Sequence, residues 1–139
     1  MSVLTVRKTP KIKSGGWYET HPVAASTSLL EGEEVMLNSS GLAISGADTA
    51  SCTYAGVAMQ SVDNSSGAAG DLSINVYFGP HQVLSAETET QAKVQTLAYI
   101  SDNQTIADVG TVSNNVLVGL RTEFVDSGTC WVDPRRRSV

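Results

Sequence analysis

At 139 residues and a charged fraction of 17%, the chain is long enough for one self-sufficient core without a metal or disulfide staple. Its two cysteines, Cys52 and Cys130, fit no metal-ligand spacing, and no apolar run nears the roughly 18 residues of a membrane span. The net charge of −5 hides an asymmetry: Arg7, Lys8, Lys11 and Lys13 on one side and Arg135, Arg136 and Arg137 on the other flank a body that keeps Lys93 and Arg121 against all 14 acids. An acidic body with two basic tails predicts that the tails belong to a partner's surface, the plainer alternative being a solvated, solubilising run. The first residues are polar, then basic, with no apolar signal segment, so the expectation is a protein made and folded in cytoplasm with both thiols reduced. The scarcity of Glu, Lys and Arg between apolar runs, where Ser, Thr, Asn and Gly dominate, favours an all-β fold.

Residues 1–28 read as an extended arm. Val3, Leu4 and Val6 suit a short strand, but Thr9-Pro10, Gly15-Gly16 and His21-Pro22 punctuate the rest. Trp17 and Tyr18 lie beside the basic run, and large aromatics in an irregular arm need something to bury against, either a partner or the domain's own core. Residues 29–133 read as the β domain. Glu31, Glu33 and Glu34 beside Gly32 form an exposed turn. Val35 and Leu37, the turn Asn38-Ser39-Ser40-Gly41, then Leu42 and Ile44 make a hairpin. Residues 46–53 form a loop, Ala55, Val57 and Met59 a strand, and 63–70 a flexible loop.

The clearest strand follows, with Leu72, Ile74, Val76 and Phe78 alternating with Asp71, Ser73, Asn75 and Tyr77. Gly79-Pro80 stops it, and Val83-Leu84 starts another short run. Residues 85–93 suit either a helical turn with a Thr88/Gln91 capping box or an exposed crossing loop. Residues 94–100 are apolar on both faces, as in a strand covered on both sides. Ser101-Asp102-Asn103-Gln104 turns into Thr105-Ile106. Val116, Val118, Leu120 and Phe124 share one face of a long strand that Val125-Asp126-Ser127-Gly128 closes. Cys130, Trp131 and Val132 make the last strand before the basic tail, 134–139. Short strands separated by turns imply a small barrel or sandwich.

Gly56-Val57 and Val62-Asp63 recur 63 residues on as Gly119-Leu120 and Val125-Asp126. The echo fits a pseudo-repeat of two β units, about 29–78 and 94–132, or merely similar strand endings.

Catalytic signals are sparse. His21 before Pro22 and His81 after Pro80 read as surface groups, and no nucleophile elbow, paired-histidine motif or phosphate loop occurs. Residues 63–67 lack the alternating acids and closing Glu of a calcium loop. The expectation is a protein that is not an enzyme and holds no metal or cofactor. The acidic body opposes a phosphate backbone, so the tails do not imply nucleic-acid binding.

With these residues in place, the chain resembles the head decoration, or capsid cement, proteins of tailed bacteriophages. The resemblance is carried by Glu31-Gly32-Glu33-Glu34-Val35, by 54–58 (Tyr-Ala-Gly-Val-Ala), by the 67–71 turn, by 98–105 and by Val118-Gly119-Leu120, and it runs from about residue 25 to 132. It implies a small β-barrel or tulip-like domain on the outer surface of an expanded head, stiffening the shell by bridging subunits of the major capsid protein. It also implies a homo-oligomer, a trimer in preference to a dimer, with no nucleic-acid or membrane partner. The arm and tail match no family pattern. Residue by residue, the candidates for capsid docking are Arg7, Lys8, Lys11, Lys13, Trp17, Tyr18, Arg135, Arg136 and Arg137. The competing expectation is a receptor- or glycan-binding β domain of a phage fibre or surface appendage.

Overall fold

Residues 3–139 are described by a computed structural model in which twelve strands and a single 3-10 turn at Gln91–Lys93 account for the regular structure. The strands are β1 (Trp17–Pro22), β2 (Thr27–Leu29), β3 (Glu34–Leu37), β4 (Ala43–Ser45), β5 (Thr53–Ala58), β6 (Val62–Asn64), β7 (Ser73–Phe78), β8 (His81–Ser85), β9 (Leu97–Ile100), β10 (Thr105–Ala107), β11 (Leu117–Asp126) and β12 (Thr129–Asp133). The protein is all-β. No helix among the described residues is long and apolar enough to cross a membrane.

Ten of these strands form two copies of one architecture. The first sheet runs β1-β7-β5-β3-β4, and the second, a closed barrel, runs β8-β12-β11-β9-β10. Every neighbouring pair is antiparallel in both, and in the second a parallel β10–β8 pair shuts the barrel. The first sheet curls the same way, but its ends meet only at a parallel bridge between Val23, just past β1, and Ala43 of β4. The hydrogen bonds there correspond, Ala24 N–H to Ala43 O at 3.1 Å and Ala86 N–H to Ile106 O at 2.9 Å.

The register repeats as well. In the first unit Glu34 faces Val57, Val35 faces Gly56 and Met36 faces Tyr54, with a bulge between the last two pairs. In the second, Leu97 faces Leu120, Ala98 faces Gly119 and Tyr99 faces Leu117, with the bulge at the same step, each residue 63 positions on. The glycine of the echo is explained by this bulge. A Cβ at Gly56 would lie 2.7 Å from the carbonyl oxygen of Tyr77 on the next strand, and one at Gly119 closer still to that of Asp133. The Val62-Asp63 half of the echo is coincidental: those residues open β6, which pairs with β2, whereas Val125-Asp126 close β11. The repeated units are thus wider than 29–78 and 94–132, since β1 and β8 belong to them.

Each unit has an apolar interior. Val23, Leu29, Val35, Ala55, Ile74 and Val76 fill the first. Val83, Ile100, Ile106, Val118 and Val132 belong to the second, and Met36, Tyr54 and half-buried Phe78 of the first unit pack into the same cluster, joining the two.

Several expectations are corrected. The extended arm ends near residue 16, not 28, because Trp17–Pro22 pairs along its whole length with β7; residues 1 and 2 of that arm lie outside the described residues. Val3, Leu4 and Val6 form no strand, and Leu4 is held instead by the side chain of Asn103. Leu72 precedes β7 and is exposed, while Tyr77 is buried because its phenol is taken up by the arm. Thr90, not Thr88, caps the 3-10 turn, with no side-chain hydrogen bond. Residues 94–96 are a turn ahead of β9, with Gln95 in the left-handed region at φ 73°. Phe124 is exposed because β11 outruns the barrel. Glu33, Glu34 and His81 are buried, for reasons given below.

Candidate partner-binding surface

Residues 4–16 run as an extended strap across both units. At one end Leu4 and Asn103 exchange two bonds: Leu4 N–H donates to Oδ1 at 2.7 Å and Asn103 Nδ2 donates to Leu4 O at 3.0 Å. Lys8 N–H donates to Glu31 O at 2.9 Å, and Gly32 leaves room for the Lys8 main chain, which any Cβ there would strike. Ile12 makes an antiparallel bridge to His81, flanked by Gln82 N–H to Lys11 O and Lys13 N–H to Pro80 O. Tyr77 ends the strap, its hydroxyl donating to Lys13 O and accepting from Gly16 N–H. A cleft of about 110 Å³ under the strap is lined by Lys8, Pro10, Lys11, Glu34, Gln82 and Gln104.

The strap and tail fold their cations back onto the acidic body. Arg7 pairs with Glu31 at 2.8 Å, and Lys8 reaches Gln104 at 3.3 Å. Lys13 pairs with Glu123 and lies 4.5 Å above the Trp131 ring. Arg135 grips Asp133 at 2.7 Å and also bonds Gly15 O, tying tail to strap. These bonds from Arg135 hold the Asp133 carboxyl below the ordinary carboxylate range, against its partial burial. Arg136 meets Gln95 at 2.9 Å, and Arg137 donates to Leu117 O at 3.0 Å and to Val118 O and Pro134 O. Among the described residues Lys11 alone of the seven terminal cations has no side-chain hydrogen bond or ion pair.

The aromatics behave differently. Trp17 stacks on Phe78 with ring centroids 5.4 Å apart, and Tyr18 meets Tyr77 at 5.1 Å, so each covers a core aromatic with one face. Their outer faces stay in solvent: Trp17 is 48% and Tyr18 64% exposed. The structure thus gathers Lys13, Trp17 and Tyr18 around Tyr77 and Phe78, and leaves Arg7, Lys8 and the tail arginines as internal clasps.

Two buried polar groups escaped the sequence reading. At the junction of the units, Glu34 Oε1 accepts from the Tyr54 hydroxyl at 2.7 Å and from His81 Nε2 at 2.8 Å. His81 Nδ1 faces Gly79 O at 2.8 Å, and a carbonyl only accepts, so Nδ1 carries a proton; a second proton on Nε2, facing Glu34, makes the ring an imidazolium. Burial works against that charge, but Glu34, the Gly79 carbonyl and Asp133 outweigh it and raise the His81 pKa above its ordinary value. Burial, and then Glu34, push the Tyr54 phenol well up. The second group lies at the end of the closed barrel. There Arg121, 1% exposed, forks onto Glu89 at 2.9 and 3.1 Å and also bonds Asp108, Thr96 and Leu97 O. Glu33, also buried, accepts from Leu30 N–H at 2.7 Å and from the Ser45 hydroxyl.

Cys52 and Cys130 are free thiols. Burial, with Glu89 nearby, pushes the Cys130 thiol up to about 12. No family model matches the chain, and no curated protein matches it.

Proposed function

We propose that this protein is a structural virion component, a decoration or cement protein that binds the outer surface of an expanded bacteriophage head and bridges its major capsid protein subunits. The observation that carries the reading beyond the sequence resemblance is the exposure of Trp17 and Tyr18 on β1. Large aromatics held rigidly by their neighbours yet open to solvent favour a partner surface. Burying the rest of Trp17 would supply part of the roughly 1.5–3 kcal/mol of a full aromatic side chain, and a repeated shell multiplies such contacts through effective concentration. The orienting charge falls to Lys11, since the other terminal cations are engaged within the chain. The protein is then made in the host cytoplasm and works on the virion surface as a homo-oligomer.

Co-sedimentation with purified expanded heads, with the unexpanded precursor as control, tests the reading. Saturable binding to expanded heads alone, lost in Trp17→Ala/Tyr18→Ala, is the expected result; a folded protein that binds neither form sinks it. The exposed face of the Trp17–Phe78 stack also favours a second reading, a glycan-stacking domain of a fibre or appendage. That reading predicts binding to cell-surface glycans that raised ionic strength leaves unchanged, whereas a shell contact oriented by Lys11 weakens with salt.

A further inference from the structure

The two units differ in what covers their outer faces. On the first, Glu34 and Met36 of β3 and Tyr54 of β5 point away from that unit's own interior, and the second unit packs over them. Met36 and Tyr54 join its core cluster, and Glu34 receives His81. Leu97, Tyr99 and Leu117 hold the same register 63 positions on, but only the basic tail crosses this face. Leu97 and Tyr99, both half-buried, line a groove of about 400 Å³ together with Thr96, Val109 and Val139. Val109 is 67% exposed.

The rim of the groove is positive. Arg136 donates to Gln95 Oε1 at 2.9 Å, and Arg137 donates to the carbonyls of Leu117, Val118 and Pro134. All these acceptors are neutral, so among the described residues neither guanidinium has an ion-pair partner. Lys93 and Arg121, also on the lining, are by contrast paired, both with Asp108 and Arg121 with Glu89 as well. Guanidinium groups recognise carboxylates through paired hydrogen bonds, and an apolar side chain gains by leaving water for an apolar wall.

We infer that this groove receives a large apolar side chain, Phe or Leu, presented by a short acidic segment of another protein. The apolar side chain lies over Leu97, Tyr99 and Val109, and the carboxylates flanking it meet Arg136 and Arg137. The counterpart face of the first unit selects a polypeptide occupant, because there the same strands are covered by apolar side chains and by one ring that bonds a charged group across the junction. The acidity of the body selects a short segment. A nucleic acid or an anionic membrane would meet those acids beyond the rim, whereas a short segment keeps its charge at the two arginines. The groove shares no residue with the Trp17–Tyr18 patch, so this site is independent of the capsid reading.

The test titrates isotope-labelled protein with the end-blocked peptide Asp-Glu-Phe-Glu-Asp and follows the main-chain amide resonances. Saturable shifts should gather at Leu97, Tyr99 and Val109. The dissociation constant should rise by roughly tenfold or more in Val109→Asp, which sets a carboxylate in the groove at an exposed position, and equally when Ser replaces the peptide's Phe. Arg136→Gln and raised ionic strength should each weaken binding by a smaller factor. Both variants should melt as the parent does, since neither side chain is part of a core. Absence of saturable shifts, or equal binding of Lys-Lys-Phe-Lys-Lys, overturns the inference. So does a concentration-dependent dimer of the free protein that Val109→Asp abolishes, because a second copy is then the occupant.

Discussion

Ala58 and Arg121 occupy the same place in their units, opposite Val76 and Val132 on the neighbouring strand, and both are buried. The stretch between β1 and β3 in the first unit and that between β8 and β9 in the second each send a large, fully buried side chain inward: Leu29 in the first, Glu89 in the second. Leu29 and Ala58 share an apolar cluster, whereas Glu89 and Arg121 form a forked ion pair. The backbone therefore tolerates either chemistry at a barrel end, provided that the end is filled. The energetics differ. An apolar plug gains from desolvation, whereas a buried ion pair bears a desolvation cost that only a full set of partners offsets.

The comparison is broken most severely by leaving one charge alone. Arg121→Met should lower the unfolding free energy by about 3–5 kcal/mol, because Glu89 is stranded in the barrel end. The double variant Glu89→Leu/Arg121→Ala, which copies the first unit, should recover most of that loss. Urea denaturation of both decides, and a double variant no better than the single one shows that the two ends are not interchangeable. Leu29→Ala should cost about 2–5 kcal/mol through its cavity. Gly56→Ala and Gly119→Ala should each cost about 1–3 kcal/mol, since both force a methyl group against the next strand's carbonyl. Similar thermal shifts for the two would sharpen the equivalence of the bulges, and a shift in one alone would blunt it.

The smallest effect concerns the junction of the units. The folded pKa of His81 is raised, so its contribution is full below its ordinary value of 6.5 and is lost as pH rises through the folded value. Stability should therefore fall as pH rises above about 6.5, and His81→Gln should flatten that slope in a pH series of melting curves.

The strands were largely legible because alternation survives in a sheet with one buried face; the hairpin at Asn38 and the core of β7 are examples. The repeat was barely legible. Its evidence is a shared register and bulge, and among the facing residues of that register only the glycine is the same in both units. The buried charges were opaque for another reason. His81 meets Glu34 47 positions away and Arg121 meets Glu89 32 away, so each looked like an isolated polar residue in a turn or strand. Only folding supplies the partner that makes burial tolerable. The basic clusters misled in the opposite sense. Composition shows charge without its neighbours, and the acids that pair with Arg7 and Lys13, Glu31 in a turn and Glu123 on β11, lie far off in sequence. Trp17 and Tyr18 were picked out by type, but their exposure depends on where β1 sits at the sheet edge.

The clamp between Leu4 and Asn103 spans 99 positions of sequence. At roughly 5–20 residues per second on a ribosome, Leu4 emerges roughly 5–20 s before the side chain that will hold it. The first unit has its strands complete by Phe78, while the strap still lacks His81 and Asn103, so strap residues made before that unit settle after it. During that interval the strap and the unpaired rim of the first unit are open to the nascent chain's surroundings.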